Sequence, residues 1–161
     1  MNAITRGAIL GVIQVAMVLS LGAKLLIDRS TMPRVWVKTA PYDPSLPIRG
    51  RYLSLSLLAD AKGFMPGVVY HGARLSVENA RLVARPSEDS GGAMVTIGGD
   101  ESIATLTEPD AYFIPEHAVD PSRRPSGEEL WVEVTVPPKG PPRPIRLAVK
   151  KNGVLTPLDL R

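Results

Sequence analysis

Two hydrophobic patterns divide the chain. From Gly7 to Ile27 nearly every position is apolar (GAILGVIQVAMVLSLGAKLLI), whereas from Arg34 onward apolar residues mostly alternate with polar ones. The first pattern predicts a helix that is apolar on all sides. At about 20 residues it is long enough to cross the roughly 30 Å hydrocarbon layer, and a helix satisfies its own backbone groups, as lipid requires. The second pattern predicts strands with one buried face. The expected organisation is a short tail at 1–6, a transmembrane anchor helix at 7–27, a linker at 28–33 and a β-rich soluble domain at 34–161.

Two polar residues interrupt the apolar run. Lys24 lies near its end, where a long stem lets the ammonium snorkel to the headgroups. Gln14 lies mid-span, where its amide can bond a second helix or its own backbone. A cleavable signal peptide is the competing reading, because Ser20-Leu21-Gly22 places small residues before Ala23. The run continues to Ile27, beyond the usual signal h-region, and so favours a retained anchor. Arg6 precedes the span while Lys24, Arg29, Arg34 and Lys38 follow it. That count taken alone points to a cytoplasmic C-terminal domain.

In the soluble part, Val35, Val37 and Thr39 alternate with Trp36 and Lys38, and Leu53, Leu55 and Leu57 with Tyr52, Ser54 and Ser56. Leu75 and Val77 lead, past Asn79, into Leu82 and Val83; Met94 to Ile97 forms a short run between glycine pairs. Leu130, Val132, Val134 and Val136 alternate with Trp131, Glu133 and Thr135, and Ile145, Leu147 and Val149 with Arg146 and Ala148. About eight strands are expected, in an antiparallel β-sandwich or open barrel. Asn152-Gly153 predicts a two-residue hairpin turn, since both positions tolerate positive φ. It should pair 146–151 with 154–159. The stiff run Pro137 to Pro144 should join the two preceding strands. Pro86 to Gly92 and Asp120 to Gly127 read as polar loops. Between Ala59 and Gly72 the alternation lapses, which suggests an irregular loop.

Composition narrows the chemistry. The 161 residues contain no cysteine, which removes disulfides, thiol catalysis and cysteine metal sites. A net charge of +3 with both signs interspersed, and only 5% aromatic residues, argues against a nucleic-acid surface. Sixteen prolines and fourteen glycines favour turns over long helices. His71 and His117 are the two histidines, and His117 has only its neighbour Glu116 as a nearby carboxylate. Adjacent strand residues face opposite ways, so the pair is a poor chelate and no metal or other cofactor is expected. Ser30-Thr31-Met32-Pro33 superficially resembles the Ser-x-Met-x-Pro of membrane-anchored signal peptidases. Met and Pro are adjacent here, however, and no lysine lies in an apolar strand to act as base. No catalytic residues are assigned.

The stretch Thr39 to Leu57 (TAPYDPSLPIRGRYLSLSL) resembles the bacterial GDYXXLXY family of small membrane-anchored proteins of uncharacterised activity. Pro41, Asp43, Pro44, Arg49, Gly50, Tyr52 and Leu55 fit its pattern; Arg51 stands where the pattern has Asp, and Leu57 where it has Tyr. A second match is Tyr112-Phe113-Ile114-Pro115-Glu116, and KKNGVLTPL near the C-terminus is similar to the family's end. The resemblance implies an N-terminal helix and an extracytoplasmic, periplasmic β-rich domain on the bacterial inner membrane. It implies no catalytic residues. Arg49, Arg51, Tyr52, Tyr112, Glu116 and His117 are the candidate partner- or ligand-binding residues. The expected function is a non-enzymatic, membrane-tethered β domain. Its partners would be the bilayer, through 7–27, and a membrane or envelope protein. A small-ligand or lipid-binding domain at the membrane surface is the alternative, and a membrane-anchored hydrolase a third reading.

Overall fold

The computed structural model describes residues 3–40, 52–65, 70–89, 92–98, 101–115, 118, 120–122 and 124–160. It is mainly β and divides into two units, 1–32 and 33–161.

The first unit is helix α1, Ala3–Thr31. Its segment Gly7–Ile27 is long and apolar enough to cross a membrane. Leu10, Val12, Val18 and Leu26 are all exposed, as expected of side chains that have no protein core to enter. The helix runs into the expected linker, so that little of 28–33 is non-helical. Its last turn is closed by the Ser30 and Thr31 hydroxyls, which donate to the Ile27 carbonyl at 2.9 and 2.8 Å. Pro33 then ends it, because the residue before a proline is pushed out of helical geometry.

Among its described residues the second unit contains ten strands: β1 Arg34–Ala40, β2 Tyr52–Ala61, β3 Tyr70–Glu78, β4 Arg81–Pro86, β5 Ala93–Ile97, β6 Ile103–Leu106, β7 Asp110–Phe113, β8 Glu128–Thr135, β9 Arg143–Lys151 and β10 Val154–Pro157. The pairing order is β10-β9-β8-β1-β2-β4-β3-β5-β6, and β6 returns to pair with β2. Five strands, β2, β4, β3, β5 and β6, therefore close into a small barrel. The other strands continue from the first half of β2.

β2 organises the domain. On one side it pairs with β7 through 52–55 and then with β6 through 58–60. On the other it pairs with β1 at Ser56 and Leu57, and then with β4 at Asp60 and Ala61. The β2–β4 pairing is parallel, a departure from the all-antiparallel expectation. It arises because β3 and β4 form a hairpin that folds back against the end of β2.

Alternation places the core as expected. Val35, Val37, Leu53, Leu55, Leu57, Val132, Val134 and Leu147 belong to one buried cluster. Within the barrel, Leu57, Leu75, Leu82, Val95 and Leu106 are interspersed with Ala59, Ala73, Ala84 and Ala104, all buried. Small residues between large ones let a narrow barrel close without overpacking.

The Asn79-Ala80 turn divides a stretch that the alternation left continuous, and β6 and β7 add strands that it did not show. Asn79 and Ala80 both have positive φ, 49° and 58°. The stretch from Leu75 to Val83 is therefore a hairpin with a two-residue turn, pairing Glu78 with Arg81. Asn152 and Gly153 form the second such turn (φ 51° and 82°), and Val154 pairs with Lys151 as the sequence predicts. The loop after β2 is shorter than expected, because β2 runs to Ala61 and β3 begins at Tyr70. Lys62 anchors its start, donating its backbone N–H to Ala84 O at 3.0 Å.

Candidate interaction surfaces

Two regions collect the chemistry-bearing side chains. The first is the corner where β7 lies along β2. β6 and β7 follow one another along β2 and are separated by Thr107–Pro109. There the Thr107 N–H and hydroxyl both donate to Met94 O, at 3.0 and 2.8 Å. The break changes the register, so that Tyr52 pairs with Phe113, Leu53 with Tyr112 and Leu55 with Asp110. Two segments that carry candidate residues, about 60 positions apart in sequence, thus meet as neighbouring strands.

In this corner Tyr112 packs against the core, and its burial raises the phenol's pKa. Phe113, one residue on, is 62% exposed. Tyr52 contributes the backbone pairing to Phe113. Arg49, Arg51, Glu116 and His117 lie outside the described residues. Ser30, the residue weighed as a nucleophile, spends its hydroxyl on helix α1.

Asp110 is the residue that sequence reasoning missed. It shares strand parity with Tyr112 and lies opposite Leu55, which is fully buried. Its Oδ2 is buried and has no hydrogen-bond partner among the described residues. Burial, and secondarily the negative charge of Glu108, pushes the carboxyl up to about 6. The parity of Asp110 with Tyr112 was the available signal, but it is usable only once 110–113 is read as a strand.

The second region is the face of β1, β8 and β9 turned away from the core. Register aligns Trp36 with Glu133 and Arg146, Lys38 with Trp131 and Ala148, and Glu129 with Lys150. Arg146 donates from Nε to Glu133 at 2.6 Å and stands over the Trp36 ring at 5.3 Å. Lys38 donates to Glu129 at 2.6 Å, and the same carboxylate accepts Trp131 Nε1–H at 3.1 Å. Lys150 stands 4.5 Å above the Trp131 ring. Contacts to Lys38 and Trp131 hold the Glu129 carboxyl below its usual range.

Other polar clusters serve the fold. Glu78 accepts from Lys62 at 3.0 Å and from Arg85 at 2.9 Å, and these contacts lower its carboxyl to about 2. Arg74 pairs with Asp89 beside a cleft formed by β3 and the Pro137–Gly140 loop, whose volume of about 10 Å³ suits one water. In the 120–128 loop, Asp120 accepts from Ser122 N–H at 2.9 Å, and Arg124 Nε donates to Pro121 O at 2.9 Å. His71 packs on Phe64, with ring centroids 4.9 Å apart. Among the described residues, no group of three or more His, Asp or Glu converges as a metal site.

No protein-family model, curated protein or solved structure matches this chain.

Proposed function

We propose that the chain is a membrane-tethered, non-enzymatic β domain that binds a protein partner through the β2–β7 corner. The carrying observation is the composition of that corner. Phe113 is 62% exposed on a four-residue strand whose alternate positions hold a half-buried tyrosine and an acid with an unsatisfied buried oxygen. Strand alternation turns Phe113 to the face opposite Asp110 and Tyr112, and exposed aromatics of this kind are enriched in protein-binding surfaces. The apolar segment Gly7–Ile27 supports the tether. The resemblance of Pro41 to Leu55 to the GDYXXLXY family supports a periplasmic placement on a bacterial inner membrane.

Photocrosslinking tests this reading. A photoreactive phenylalanine analogue at position 113, in native membranes, should yield a discrete adduct with a membrane or envelope protein. The same probe at the exposed Arg81, on the barrel, should not. The purified adduct partner should bind the wild-type chain and lose about tenfold or more in affinity with Phe113→Ala. Equal labelling at both positions would contradict the assignment.

A further inference from the structure

We propose that the outer face of β1, β8 and β9 rests on anionic lipid headgroups. The inference rests on the membrane-tether reading and adds the surface that meets the bilayer.

Charged side chains lie at different depths on this face. In the Arg146–Glu133 pair the arginine side chain is 54% exposed and the glutamate 11%. In the Lys38–Glu129 pair the lysine is again the more exposed member, though narrowly. Lys150 and Arg146 are placed over tryptophan rings. Glu133 and the two rings thus form a lower layer with Arg146 and Lys150 above it, while Lys38 and Glu129 lie at nearly equal depth. Glu129 is shared between a lysine and an indole N–H, which offset its negative charge. By cross-strand register, with a bulge beside Glu133 bringing Arg143 opposite Thr135, the face carries five cations, Arg34, Lys38, Arg143, Arg146 and Lys150, against two acids, Glu129 and Glu133. Its net charge is +3, and the charge nearest solvent is positive.

Lipid is the partner that this chemistry and the chain's connectivity favour. Cations over tryptophan suit the interfacial zone, where rings settle at headgroup depth and Lys or Arg meets phosphate. β1 directly follows the apolar helix in sequence, with only Met32 and Pro33 between them. A tether of that kind supplies the bilayer at high effective concentration, so weak individual contacts suffice.

The chain provides its own reporter. Its two tryptophans, Trp36 and Trp131, both lie on this face and neither lies in the helix. The full chain is reconstituted into vesicles bearing headgroup-labelled quencher lipids, either zwitterionic or containing phosphatidylglycerol. Flotation first establishes incorporation; a chain that fails to float refutes the tether reading and, with it, this inference. With floating protein, tryptophan quenching should be strong in phosphatidylglycerol vesicles, weak in zwitterionic ones, and reduced by added salt. Each of Lys38→Gln, Arg146→Gln and Lys150→Gln should lower the docked-to-undocked ratio roughly fivefold. Equal quenching in both lipids, or none in either, overturns the proposal while leaving the tether intact. The wild-type lipid and salt series decides the matter even if a variant fails to fold. If emission responds only to an added acidic protein, the face belongs to a protein partner and the lipid assignment is wrong.

Discussion

At the scale of single residues, Asp110 and Glu78 sit in opposite environments and make opposite pH predictions. Burial raises the Asp110 carboxyl to about 6, against an unfolded value near 3.9. Between those values the folded state binds the extra proton, so the Asp110 contribution weakens stability as pH rises and its full cost is present above about pH 6. Asp110→Asn should therefore stabilise the protein near neutral pH by about 1–2 kcal/mol, discounted for a group that water partly screens. Near pH 3 the substitution should do little. Urea unfolding at both pH values measures the difference. Glu78 behaves in the reverse way: Lys62 and Arg85 hold its carboxyl near 2, so its stabilisation is present above the unfolded value and is lost as pH falls toward 2. Glu78→Gln should flatten the acid limb of the melting curve and leave the region above pH 6 with the same slope. Leu55 is the core counterpart. It is 1% exposed, and Leu55→Ala should cost about 2–5 kcal/mol through lost burial and the cavity left behind.

At the scale of elements, the strands that sequence made visible are those with long, clean alternation. Val35/Val37/Thr39, Leu53/Leu55/Leu57 and Val132/Val134/Val136 are buried on one face as period two predicts. The Asn152-Gly153 turn was legible because both residues advertise positive φ. The Asn79-Ala80 turn was hidden, because alanine at a φ of 58° carries no such signal. That alanine sits in the left-handed region, at a cost on the order of 1 kcal/mol. Ala80→Gly should raise stability by roughly that amount less the entropy glycine adds to the unfolded chain, giving a small net gain in thermal midpoint. Ala80→Val should lower it sharply. β6 and β7 have four residues each, too few for periodicity to separate from chance. The parallel β2–β4 contact is set by where a hairpin docks, which local pattern cannot encode. Asp110 went unnoticed for the same reason as β7, whereas Tyr112 stood out through the motif it belongs to. The layered Trp and cation face was implicit in the alternation of Trp36/Lys38 and Glu129/Trp131/Glu133, but its depth ordering needed three-dimensional exposure. The edge strand β10 shows a protective device: Leu158 N–H bonds Leu147 O at 2.9 Å, so Pro157 falls at a position whose N–H would face outward. A proline there removes a donor that another chain could pair with.

At the scale of the whole molecule, function turns on the relation between an apolar helix and a β domain that carries its own core. The charge count across the span and the family resemblance favour opposite orientations, and the proposed periplasmic placement predicts that protease added to spheroplasts digests the β domain. Protection until lysis would reverse the orientation. The β2–β7 corner and the cationic face both presuppose that the helix remains attached. The most direct measurement is therefore alkaline carbonate extraction of native membranes, followed by intact-mass analysis of the recovered chain. The account predicts that the chain stays in the pellet with residues 7–27 present, because no charge interaction substitutes for about 20 apolar residues buried in lipid. Release into the supernatant, or a mature chain beginning at Ala23, would contradict it.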